Sequence, residues 1–167
     1  MAVTLVATVG ASTANSYATV AEADTYFLAH PLYKIWDALY TTDKVRWLLM
    51  AAREIDTLTI DGAKYDTSTT SGVPDQALRF PRAQDYDGGT FIPDGVKDAQ
   101  CEQAIHRAQI GTTDTRLTLQ AQGVVEVEFD DVREKYGEAQ GGSSRTVAQR
   151  AYDILNSFGY IKYGGLA

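Results

Sequence analysis

Between Thr42 and Leu58 the positions Val45, Leu48, Leu49, Ala52, Ile55 and Leu58 trace one apolar stripe at helical period. A helix with such a stripe must bury it against other elements, so the chain has to build at least one more layer around this segment. Thr42 is placed to cap the helix and Asp43 to complement its positive end, while Gly62 lies beyond its finish. Arg46, Arg53 and Glu54 take the opposite face, with Trp47 and Met50 on the flank. Trp47 reads as a core edge or subunit contact rather than part of a cofactor box.

Further helical segments flank this one. Thr19 and Glu22 sit at capping-box spacing ahead of Val20, Ala23 and Phe27, which predicts a first helix running to about His30, where Pro31 stops it. Tyr33, Trp36 and Tyr40 recur every three or four positions and predict a short helix that lays an aromatic face on the core. Pro93 opens another helix through Val96, Ala99, Cys101, Ala104, Ile105 and Ala108 to near Gly111, its other face holding Lys97, Asp98, Glu102 and Arg107. A last one runs from about Thr146 through Val147, Ala151, Ile154, Leu155 and Phe158 to Gly159.

The remainder is irregular or extended. Residues Met1–Ser16 are rich in Ala, Thr, Val and Ser and predict an extended arm that orders on assembly. Gly62–Pro93 is a long connection in which Gln76, Leu78 and Phe80 alternate as an anchor over the helices. After Gly111 the apolar period falls to two. Leu117, Leu119 and Ala121, then Val125, Val127 and Phe129, predict a β-hairpin over 116–130 with an acidic outer face. The fold class is therefore mainly α: a small helical bundle with a β-hairpin, an extended N-terminal arm and a long loop. It forms one domain over 1–167, with the arm at 1–16, a helical core at 19–111 and a C-terminal helix at 146–158.

Charge and chemistry narrow the function. Fifteen Lys and Arg against twenty-two Asp and Glu give a net charge of -7, which argues against a broad basic surface wrapping duplex DNA. The single Cys101 makes no intrachain disulfide and reads as a small buried hydrophobe. Met1–Ala21 is neither a signal peptide nor a membrane span. His30 and His106 lack companions at metal-ligand spacing, and Asp85, Asp87 and Gly88 match only the start of a calcium loop, so that stretch reads as a polar turn. No Walker loop, dinucleotide fingerprint, nucleophile elbow or HExxH helix is present, so no enzyme activity, cofactor or metal is expected. Arg79 and Arg82, flanking Phe80 and Pro81, form the best local basic pair, for which capping of carbonyls or pairing with carboxylates is favoured over DNA contact. The acidic residues Glu126, Glu128, Asp130 and Asp131 suit a passage that DNA slides through without sticking.

Five blocks occur in a fixed order: NSYATVAEADTYF at Asn15–Phe27, Trp36 followed by Asp43 and Lys44, AAREIDTL at Ala51–Leu58, QALRFPR at Gln76–Arg82, and IPDGVKDAQCEQA at Ile92–Ala104. Over about residues 15–110 the chain resembles phage structural proteins often labelled DnaT-like single-stranded-DNA-binding proteins, which are also similar to the head-tail connector, or adaptor, proteins of tailed phages. The resemblance implies a virion protein at the neck and portal vertex, made in the host cytoplasm. Its copies would form a ring, commonly a dodecamer, that touches the portal protein and a tail-side neck or tail completion protein. DNA would pass without specific binding and no membrane would be involved. On that reading Glu126, Glu128, Asp130 and Asp131 line the channel or its rim, and Trp36, Trp47, Phe80, Arg79 and Arg82 are interface candidates. The alternative is a replication accessory protein that binds single-stranded DNA, with Trp36, Trp47 and Tyr33 stacking on bases and Arg79 and Arg82 holding phosphates.

Overall fold

The computed structural model describes residues 3–65, 76–83, 85, 91–113, 126–129, 132–135 and 147–162. Within them the chain is mainly helical: α1 (Val20–Phe27), α2 (Tyr33–Asp37), α3 (Thr41–Ile55), α4 (Asp94–Thr113) and α5 (Gln149–Ser157), with short strands β1 (Glu126–Phe129) and β2 (Val132–Lys135) between α4 and α5.

Helix α4 is the axis of the bundle. It packs against α3 on one side and α5 on another, with α1 and α2 closing further flanks. A helix enclosed in this way cannot keep one polar face. Alongside Val96, Ala99, Ala104, Ile105 and Ala108, the polar Gln100, Glu102 and Gln103 are buried. Burial of a polar group costs free energy unless it is hydrogen-bonded, and each of these three has partners. Gln100 binds the backbone at Tyr17, Ala18 and Leu48 and the Ser16 hydroxyl. Gln103 accepts from the amide of Ala148, 2.6 Å away, at the start of α5, and its own amide donates to Glu54. Glu102 receives Tyr26 Oη at 2.7 Å and lies 3.1 Å from His30 Nε2, with Arg150 Nε on the same oxygen. These groups tie α4 to the N-terminal segment, to α1, to α3 and to α5.

The apolar core is divided along α4. One cluster gathers Tyr17, Ile55, Phe80, Val96, Leu155 and Tyr160; the other gathers Phe27, Trp36, Leu48, Cys101 and Ile105. Phe27 stacks on Trp36 at a centroid distance of 4.6 Å, and Phe80 meets Tyr17 and Tyr160 edge-on at 5.7 and 4.9 Å.

Local signals act as the sequence predicts at α1. The Thr19 side chain accepts from the Glu22 amide at 3.2 Å while Glu22 Oε2 accepts from the Thr19 amide at 2.7 Å, a complete capping box. Thr19→Ala is expected to cost about 1 kcal/mol, read as a lower urea midpoint with an unchanged slope. At the other end of the chain Gly159, at φ 75°, closes α5 with its amide on Asn156 O and the Tyr160 amide on Leu155 O, a Schellman arrangement.

Elsewhere tertiary contacts reset the boundaries. α2 stops at Asp37, and Tyr40 becomes the N-cap of α3 in extended geometry, its carbonyl accepting from Asp43 and Lys44. Tyr40 is therefore 80% exposed instead of lying on the core, and Thr42 sits inside α3 rather than capping it. α4 continues through Gly111 to Thr113. Phe158, expected on the core, is 58% exposed, its ring lying where a Cβ on Gly95 would have to go.

Two larger expectations are corrected. The N-terminal segment does not project as an arm: Asn15 folds it back, accepting from the Val6 amide at 2.7 Å and donating to Thr4 O at 2.9 Å, and Leu5 and Val9 pack on the two core clusters. The hairpin over 116–130 is not supported. β1 pairs with the downstream β2, antiparallel, with Glu126 opposite Lys135 and Glu128 opposite Arg133, whereas 114–125 lie outside the described residues. Apolar alternation marks a segment as extended without fixing its partner.

Candidate nucleic-acid interface

The exposed sides of α2 and α3 are each built by helical period. On α3, Leu48, Leu49, Ala52 and Ile55 turn inward, and Thr42, Arg46, Met50 and Arg53 follow at three- and four-residue spacing on the opposite side, all exposed. Arg46 and Arg53 are about 10 Å apart along the helix axis, with Met50 between them. α2 contributes the exposed Lys34 and Ile35, and Tyr40 at the junction is the most exposed large side chain of the face. Ile35, Tyr40 and Met50 are thus exposed apolar groups on the two helices and their junction, the same segments that carry the exposed Lys34, Arg46 and Arg53.

The cations differ in availability. Arg46 lies 2.7 Å from Asp43, but both partners are solvated, and such a surface pair holds little free energy. Arg53 and Lys34 have no ion pair among the described residues. Lys44 is withdrawn: its ammonium is 2.9 Å from Asp24 and 5.5 Å from the centre of the Trp36 ring, with its side chain only 12% exposed. Burial opposes ionisation of Asp24, yet the hydrogen bonds from Lys44 and Trp36 outweigh it and hold the carboxyl below its usual range.

The residues singled out from sequence fall elsewhere. Trp36 is buried, with Nε1 donating to Asp24 at 2.7 Å. Trp47 and Tyr33 are half-buried against the second core cluster. Phe80 is enclosed by Tyr17 and Tyr160, next to the cis bond to Pro81. Arg79 Nε donates to Asp56 O at 2.9 Å, and its amide donates to Tyr17 Oη at 3.2 Å. Tyr17 donates in turn to the Asp56 carboxylate, and burial pushes both groups up. Arg82 is 3% exposed and spends its guanidinium on the carbonyls of Ile60, Asp61, Gly62 and Arg79. The structural use of these two arginines, as carbonyl caps, is the one found. Glu126 and Glu128 lie in β1; Asp130 and Asp131 lie outside the described residues, as do Asp87 and Gly88. His30 faces Glu102, and burial followed by the neighbouring Arg107 lowers the pKa of His106. Cys101 is a buried free thiol raised by that burial. Among the described residues no three His, Cys, Asp or Glu side chains gather as metal ligands, and no helix is long and apolar enough to cross a membrane.

Tyr40 and Met50 are the members that sequence reasoning missed. For Met50 the signal was present, since the helical projection places it directly opposite the Leu48 and Ala52 stripe. For Tyr40 it was not, because its position depends on where α2 ends.

Residues 1–165 match the family described as "Putative DnaT-like ssDNA binding protein". The chain belongs to this family. No curated protein and no solved structure matches it. Membership in the DnaT-like family corrects the leading functional expectation: the description that covers the chain is that of a DNA-binding family and favours the replication-accessory alternative over a virion connector. The channel role of Glu126, Glu128, Asp130 and Asp131 and the portal and tail contacts were implied by the connector resemblance alone, which the family match does not support.

Proposed function

We infer that this chain binds single-stranded DNA through the outward face of α2 and α3. The observation that carries the reading is the family match over 1–165. The face supports it, because sequence-tolerant single-strand binding combines a stacking platform with cations that follow the backbone. Tyr40 supplies the platform, Ile35 and Met50 flank it with apolar surface, and Arg46, Arg53 and Lys34 take phosphates. The role is one of binding and requires no bond to be made or broken.

With a net charge of -7 the rest of the surface repels phosphate, so affinity is modest and depends strongly on salt. A fluorescently labelled oligo-dT titrated at low salt is expected to bind in the micromolar range. Its logarithmic salt slope should be about -2, as three cations on a single strand produce. Tyr40→Ala should weaken binding roughly fivefold or more through lost stacking, and Arg46→Glu with Arg53→Glu by more than about tenfold, with thermal midpoints nearly unchanged. Absence of binding at low salt would overturn the function; binding indifferent to all three substitutions would overturn the face.

A further inference from the structure

A cleft of about 400 Å³ opens between α1 and α4, on residues separate from the face just described. Its floor is apolar and made of small groups, Ala18, Ala21 and Cys101, with the Tyr26 ring as one wall. Tyr26 is held in place by its hydroxyl, which donates to the buried Glu102. The rim is anionic. Asp94 and Asp98 lie one turn apart on α4, about 6 Å along the axis, and neither has an ion pair among the described residues. Lys97, the cation lining the cleft, is already committed to Glu22 across the gap at 2.6 Å. Burial, then Asp94, then Glu102 raise the pKa of Asp98.

We propose that this cleft is the docking groove for a basic amphipathic helix of a partner protein, which seats a bulky apolar side chain on the Ala18, Ala21 and Cys101 floor and meets Asp94 and Asp98 with Lys or Arg one turn away. Two helices already form the walls, and a third laid between them buries its apolar stripe as helix-in-groove ligands do. The volume accommodates an anchoring side chain together with a flanking cation's aliphatic stem. Charge complementarity selects the occupant: a cationic segment satisfies the two carboxylates, whereas an acidic peptide or a DNA strand adds to their repulsion. The chain would then carry two surfaces of opposite preference, one for phosphate and one for a basic protein segment.

The test uses the full chain and a synthetic Arg/Leu peptide of about four helical turns, titrated by calorimetry and followed by amide shifts. Binding is expected, with shifts confined to 18–26 and 94–101. Asp94→Asn with Asp98→Asn should weaken it about tenfold or more, and Ala21→Trp, an exposed position whose new ring fills the cleft, should abolish it. A Glu/Leu peptide should not bind, and an Arg/Gly peptide of equal charge should bind far more weakly. Equal binding of the Arg/Gly peptide, shifts outside the cleft, or affinity indifferent to both variants would overturn the proposal. Self-association of the chain that Ala21→Trp removes would overturn it in favour of a second copy as occupant. Circular dichroism melts confirm that each variant is folded, and the Asp94→Asn with Asp98→Asn variant keeps the test valid if Ala21→Trp is not accommodated.

Discussion

Gln100→Leu is expected to destabilise the chain by about 3–5 kcal/mol although leucine preserves most of the side-chain volume and is the more apolar residue. Gln100 is fully buried, and its Oε1 accepts from the amides of Tyr17 and Ala18, both at 2.9 Å, while its Nε2 donates to Ser16 Oγ at 2.7 Å and Leu48 O at 2.8 Å. The two amides belong to a segment without regular structure, so no neighbouring strand or turn takes them over once the acceptor is gone. An orphaned buried donor costs roughly 1–3 kcal/mol, and here there are two, with the lost donor bonds added. Thermal unfolding should show a midpoint lower by about 10 °C. A loss below about 1 kcal/mol would mean that water reaches these amides and that 16–18 are not fastened to α4 as described.

The second large effect is expected at Arg82. Arg82→Met should cost about 3 kcal/mol, because the guanidinium is the shared donor for four backbone carbonyls that have to face inward where the chain turns at Gly62. Gly62, at φ 77°, makes that turn in a conformation that side chains rarely adopt, and Arg82 holds it against the 79–82 segment. Burial, and after it the neighbouring Arg79, lower the pKa of Arg82, which is the signature of a cation used inside the fold. The same variant separates structure from recognition. Below its melting temperature it should bind single-stranded DNA as well as the parent chain does, since Arg82 lies off the α2–α3 face. Loss of DNA binding with stability intact would instead restore Arg82 as a phosphate ligand.

Much of the helical framework was legible because its signals are local. The Thr19 and Glu22 pair acts across three residues, the Leu48, Leu49, Ala52 and Ile55 stripe repeats every turn, and Gly159 ends α5 by a backbone geometry few other residues adopt. The candidate interface was only half legible. Its arginines were visible on α3, but the aromatic partners were sought in Trp36, which the core encloses, and in Tyr33, which is half-buried against it, and the exposed Tyr40 was assigned to that core. Strand pairing was left undecided for a related reason, since alternation states that a segment is extended without stating what lies beside it.

Composition and period therefore settled that this is a mainly helical chain with Arg46 and Arg53 on the side of α3 opposite its apolar stripe and a strong excess of carboxylates. They did not decide which polar groups go inside. Gln100, Glu102 and Gln103 are indistinguishable from surface residues until α4 is seen to be enclosed by its neighbours, and the capping expected of Arg79 and Arg82 finds its particular carbonyls only in the fold. The reason is one of range. Capping and periodicity are set by residues within a turn or two, whereas the burial of a polar side chain becomes favourable only when partners from distant segments converge on it.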